Sequence, residues 1–103
     1  MLGFVQEHGP YVIESGQTKF HENSFSWNRE ANMLYIESPA GVGFSYCDGI
    51  EECTFDDNVS GKDNLKAVLA FFESFPEFGS NDLYISGESY AGIYVPYLSY
   101  FID

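Results

Sequence analysis

The sequence has 103 residues, enough for at most one small domain with a modest core. Its 45% hydrophobic and 18% aromatic content argues against disorder. Sixteen acidic residues against four basic ones give a net charge of −12, a balance that opposes nucleic-acid binding and gives no support for docking on anionic lipid. Such acidity is compatible with a compartment of low pH, and equally with acids that only solubilise a surface.

The N-terminal run Met1 to Glu7 has neither the basic start nor the apolar core of a signal peptide. Tyr11-Val12-Ile13 and Thr18-Lys19-Phe20 flank Ser15-Gly16-Gln17, which predicts a hairpin. Phe25 and Trp27 fall in an irregular aromatic connection. Met33-Leu34-Tyr35-Ile36 then reads as a strand buried on both faces, as in a parallel sheet. It ends at a loop of little side-chain bulk around Pro39, Gly41 and Gly43.

The acidic segment Asp48 to Asp57 reads as a surface loop containing Cys53, with Cys47 just before it. Spacing alone leaves a short loop disulfide and two separate thiols both open. Two cysteines with no histidine close by do not complete a metal site, so no metal is expected. Asn58-Val59-Ser60 is a glycosylation sequon, a pattern common by chance.

From about Asp56 the period changes. Leu65, Val68, Leu69 and Phe72 fall on one helical face, which Phe75 extends, while Lys62, Lys66 and Glu73 point away. Thr54 with Asp57 resembles a capping box, and Pro76 stops the helix. Leu83-Tyr84-Ile85 is a second apolar strand. The last apolar stretch, Ile93 to Ile102, is too short to span a membrane and contains Pro96. Strand, long helix, strand, turn and helix in that order predict an α/β fold with a right-handed parallel crossover.

Between the second strand and the last helix stands Gly87-Glu88-Ser89-Tyr90-Ala91-Gly92. A serine among small residues on a strand-to-helix turn is what a nucleophile elbow requires, because the backbone must turn sharply to leave the hydroxyl clear. Ala91 stands where the generic G-x-S-x-G pattern has its last glycine.

Three blocks resemble the serine carboxypeptidases, α/β-hydrolase-fold enzymes that remove single residues from peptide C-termini. They are residues 22–37 (ENSFSWNREANMLYIE), residues 38–46 (SPAGVGFSY) and residues 81–92 (NDLYISGESYAG), the last followed by Tyr94-Val95-Pro96. Gly9-Pro10 and Asp63-Asn64-Leu65 also fit the family's order. In that family the elbow normally carries alanine at the position of Ala91, so the departure becomes agreement.

The resemblance implies a partial α/β-hydrolase fold of mostly parallel strands with a crossover helix and a nucleophile elbow. Residues 1–103 would be a fragment of a single catalytic domain. The family's Asn-Gly-Gly-Pro-Gly-Cys-Ser-Ser segment is not in the chain, and the triad's aspartate and histidine are expected beyond Asp103. Neither His8 nor His21 matches the family's histidine.

By resemblance Ser89 is the nucleophile, the main-chain N–H of Tyr90 an oxyanion donor, and Glu88, when protonated, the group that hydrogen-bonds the substrate's terminal carboxylate. The implied substrates are peptide or protein C-termini, with no metal or organic cofactor, no nucleic acid and no membrane span. A family that is usually secretory implies the secretory pathway, lysosome or vacuole, or the extracellular space. It also favours the Cys47–Cys53 disulfide and a glycan on Asn58. Two other readings stand beside hydrolysis: acyl transfer to an alcohol, as in the family's acyltransferase branch, and a non-catalytic fragment or binding module.

Overall fold

Main-chain hydrogen bonds around residues 3–13 decide where the N-terminal structure starts and stops. Gly3–Glu7 wind into one wide π-type turn closed by the His8 N–H on the Gly3 carbonyl at 3.0 Å. The structure, a computed structural model, describes residues 2–49, 53 and 56–103. It divides into two compact units, Met1–Tyr35 and Ile36–Asp103.

In the first unit, β1 (Tyr11–Val12) pairs antiparallel with β2 (His21–Glu22), Tyr11 facing Glu22 and Val12 facing His21. The hairpin exists, but its second strand lies beyond the expected Thr18–Phe20. Two interactions account for the shift. Ile13 spends its N–H on the Val5 carbonyl at 2.8 Å, which ends β1 at Val12. Gln17 turns back on Glu14 through both its main chain and its side chain, which widens the connection.

The unit is filled by rings. His8 stacks on Trp27 at 4.5 Å and on Tyr35 at 5.4 Å, and Phe4 tilts against Tyr35 at 5.1 Å. His8 Nδ1 and Tyr35 Oη share a hydrogen bond of 2.9 Å. Asn23 ties the connection down by donating to the carbonyls of Glu7 and Gly9. His8 is thus a packing residue with a satisfied ring nitrogen, as a structural histidine should be.

In the second unit the long helix forms as α1 (Asp57–Ser74). Its cap differs from the expected box. Asp56 is the N-cap, and its Oδ1 accepts the Val59 N–H at 2.8 Å. Thr54, the other half of that box, lies outside the described residues. At the other end Pro76 opens a 3₁₀ turn, Pro76–Phe78, because proline has no N–H to continue the ladder. Phe75 is therefore a cap residue, its ring tilted against Phe71 at 5.1 Å.

α2 (Ala91–Ile102) packs along α1. The buried face of α1 is Ser60, Gly61, Asn64 and Val68 rather than the apolar stripe read from periodicity, and α2 meets it at Gly61. Gly61 explains the choice. A Cβ there would come within 2.9 Å of the Phe101 ring and 3.0 Å of Tyr97 Cβ, so only glycine lets the two helices approach this closely. Val68 belongs to both faces and is buried, whereas Leu69 of the stripe is 58% exposed. Among the described residues the buried apolar side chains are Val68 and Leu98 alone. Lys62, expected to point away, lies over the Phe101 ring at 5.6 Å, and Lys66 pairs with Asp63 at 2.9 Å.

The two expected parallel strands are not formed. Residues 32–38 and 82–88 form neither helix nor turn and have no ladder partner among the described residues. Their apolar pattern shapes the backbone, but a strand is completed only by hydrogen bonds to a neighbour. Among the described residues no helix is long and apolar enough to cross a membrane.

Candidate active site

After the irregular run 82–88 the chain turns through Ser89 and Tyr90 into α2. Ser89 has φ of +57°, the left-handed region, and it is the only non-glycine residue to enter it among the described residues. L-residues avoid that region because Cβ crowds the following carbonyl, a cost of roughly 1–2 kcal/mol. Three successive short-range bonds hold the turn: Ala91 N–H to the Glu88 carbonyl at 3.1 Å, Gly92 to Ser89 at 3.0 Å, and Ile93 to Tyr90 at 2.9 Å. The Tyr90 N–H is not a donor in that series. It belongs to the group of main-chain amides that a helix leaves open at its N-terminus.

Small side chains make this geometry possible. A Cβ on Gly87 would lie 2.3 Å from Ala91 Cβ and 3.1 Å from Val95 Cγ2. Gly87 and Ala91 are therefore fitted to each other across the turn. Gly92 is different, since a Cβ there would meet nothing within 4 Å and its φ is ordinary. The expected need for small residues thus holds at the first glycine and the alanine, not at the last glycine.

Glu88, Ser89 and Tyr90 are all exposed. The Tyr90 side chain reaches across to α1, where its Oη donates to Asp57 Oδ1 at 3.1 Å, and its ring meets Tyr94 edge-on at 5.0 Å. The Asp57 carboxylate, through that hydrogen bond and its charge, holds the Tyr90 phenol above the ordinary tyrosine range. Only the neutral phenol donates, so the tie is intact through acid and neutral pH and is lost as pH rises through that raised value. No pattern in the sequence linked these two residues, which are 33 positions apart. Asp57 was legible only as a helix-start acid.

Ser38–Ser45 form a second loop, which enters through a cis Ser38–Pro39 bond. The Glu37 carboxylate accepts the Phe44 N–H at 2.6 Å, and Ser45 Oγ donates to the Glu37 carbonyl at 2.6 Å, so the loop closes on its own stem. Beside it lies a cavity of about 420 Å³, lined by residues that include Pro39, Phe44, Tyr46, Asp63 and Asn64. Its walls include none of Glu88, Ser89 and Tyr90. Cys53, also in that wall, is bonded to Cys47, which resolves the choice between a disulfide and two thiols. Asn58 is exposed in the first turn of α1, while Ser60 of its sequon is buried and lines that cavity. Both histidines lie in the first unit, and residues 36–103 contain none.

A left-handed serine directly before a helix, set on fitted small residues, fits the sharp turn expected of a nucleophile elbow. The family model for serine carboxypeptidases matches residues 1–103. The chain belongs to the serine carboxypeptidase family. The family implies an α/β-hydrolase fold.

Relatives in this family come from animals and plants. A rat protein, probable serine carboxypeptidase CPVL, is 45% identical over 102 residues, covering 99% of this chain and 21% of that protein. Mouse lysosomal protective protein is 48% identical over 97 residues, 94% of this chain and 20% of that protein. Barley serine carboxypeptidase 1 is 45% identical over 103 residues, with 95% and 21% covered. The chain thus spans about a fifth of the length of the curated relatives it matches.

Proposed function

We propose that residues 1–103 form part of a single serine carboxypeptidase catalytic domain and carry its nucleophile. Ser89 would attack the carbonyl of the last peptide bond; the C–N bond breaks, and the C-terminal amino acid leaves through its protonated amine. Water then hydrolyses the acyl-enzyme ester to free the shortened peptide and restore the serine hydroxyl. The observation that carries this reading is the φ of +57° at Ser89, on the turn that leads into α2. Such strain persists only where surrounding contacts over-determine it, and it clusters at active sites. The open Tyr90 N–H would supply one oxyanion donor, and Glu88 would meet the substrate's terminal carboxylate. In this reading the segments 32–38 and 82–88 are strands of a mostly parallel sheet, with α1 as their crossover.

The expected substrates are peptide and protein C-termini. A relative named lysosomal protective protein and a Cys47–Cys53 disulfide support residence in the secretory pathway, lysosome or vacuole, or outside the cell, where disulfides persist. The exposed Asn58 side chain would accept a glycan there.

The test places the 103 residues in mouse lysosomal protective protein, in place of the matching fifth of that chain. A fluorophosphonate probe is expected to label the chimera at Ser89 and to leave the isolated 103-residue chain unlabelled, because residues 36–103 offer no histidine base. An intact, folded chimera that stays unlabelled would sink the reading.

Glu88 has its own expected outcome. A carboxylate that meets the substrate's carboxylate needs a shared proton, so binding weakens as that proton is lost. Glu88→Gln in the chimera should retain more peptide binding at neutral pH than the unsubstituted form. A KM-against-pH profile identical in both would remove that role.

A further inference from the structure

Two aspartates stand side by side at the start of α1, and the structure gives them different tasks. Asp56 is exposed and caps the helix, accepting the Val59 N–H at 2.8 Å. Asp57 is half-buried and accepts from Tyr90 Oη at 3.1 Å instead. The second carboxylate is therefore not needed as a cap. It joins the first residue of α1 to the residue directly after Ser89.

We infer that Asp57 is a positioning residue for the Ser89–Tyr90 turn, setting through the Tyr90 phenol the direction of the Tyr90 main-chain N–H. The inference rests on the proposed role of that N–H as an oxyanion donor. Tyr90 is held at three places: its Oη by Asp57, its ring by Tyr94, and its carbonyl by the Ile93 N–H. With side chain and carbonyl fixed, the Cα is fixed, and little rotation remains to the peptide group that carries the N–H. The opposite side of the turn is set by the contact of Gly87 with Ala91. Between them these constraints hold Ser89 in a region that it would otherwise leave.

Asp57 suits the task on electrostatic grounds as well. Asp57 stands in the first turn of α1, where a negatively charged side chain interacts favourably with the positive end of the helix dipole. A charged acceptor makes a stronger bond to a phenol than a neutral one does. α1 in turn is fixed against α2 at Gly61, one helical turn after Asp57. The anchor is thus itself anchored to the helix that begins at the nucleophile.

An oxyanion donor matters only as charge develops, so its misalignment should lower kcat and leave KM nearly unchanged. In the chimera, Asp57→Leu and Tyr90→Phe are each expected to lower kcat about 10- to 100-fold. The double variant should be no worse than either single one, because both break the same bond. Asp57→Asn keeps an oxygen acceptor and is expected to return kcat to within about threefold of the parent.

An unchanged kcat in Asp57→Leu, a fully additive double variant, or a loss that falls on KM would each overturn the inference. Should Asp57→Leu fail to fold, Tyr90→Phe and Asp57→Asn still decide it: a Tyr90→Phe form with parental kcat is fatal. The unsubstituted chimera separates the two layers. If its Ser89 does not react with the probe, the nucleophile reading fails and this one with it. If it reacts and Asp57 is indifferent, only this one fails.

Discussion

Ser89→Ala in the chimera is expected to lower kcat by roughly four to six powers of ten, while peptide binding and the melting temperature stay close to those of the parent. The size follows from the loss of covalent catalysis, which removes the cooperation of the whole triad at one stroke. Binding is spared because the methyl group keeps the Cα in place. Alanine also keeps the left-handed strain, as it has the same Cβ. Ser89→Gly is the companion variant, equally dead in catalysis but relieved of the Cβ clash at φ of +57°. Glycine loses more entropy on folding, so the net gain is on the order of 1 kcal/mol. Urea denaturation of the three forms checks this: glycine should unfold at the highest midpoint. If alanine and glycine unfold together, the turn is not strained. If Ser89→Ala keeps its turnover, the nucleophile lies elsewhere.

Gly87→Ala carries the second large effect, because the change touches no reacting atom. The added Cβ would sit 2.3 Å from Ala91 Cβ, well inside contact distance, and Ala91 is part of the helix backbone rather than a flexible tip. The turn must open, at a cost of about 1–3 kcal/mol. An elbow displaced by about 1 Å loses on the order of 100-fold in turnover. Gly92→Ala is the built-in control for stability. Its Cβ would meet open space, and alanine is the better helix former by up to about 1 kcal/mol. Thermal melting of both variants should therefore move in opposite directions. A Gly87→Ala form as stable and as fast as the parent would show that the close fit of Gly87 and Ala91 is not needed.

The contrast between those two glycines shows what the sequence made legible. The hexapeptide marked a sharp turn at the right place, because small residues at fixed offsets are a local signal. Which glycine was indispensable depended on where Ala91 and Val95 fall in space, and no spacing rule encodes that. The long helix was equally readable, since its period and Pro76 are local. Its packing face was not: the stripe Leu65, Val68, Leu69 and Phe72 outshone Gly61, whose value lies in having no side chain where Phe101 and Tyr97 come close. Met33–Ile36 and Leu83–Ile85 read as strands because their residues favour extended backbone. Among the described residues they have no ladder partner, because pairing is a property of neighbours, not of the segment. The link from Asp57 to Tyr90 was invisible for the same reason.

The left-handed backbone at Ser89 also bears on how such a chain would change over generations. A lineage that kept the fold but gave up hydrolysis would lie under selection for stability alone, and at this position stability favours glycine. Such lineages should lose the serine early, often before they lose anything else in the turn. On the proposed nucleophile role, a serine still standing at φ of +57° is a record of the opposite pressure: the hydroxyl would be worth more than the strain.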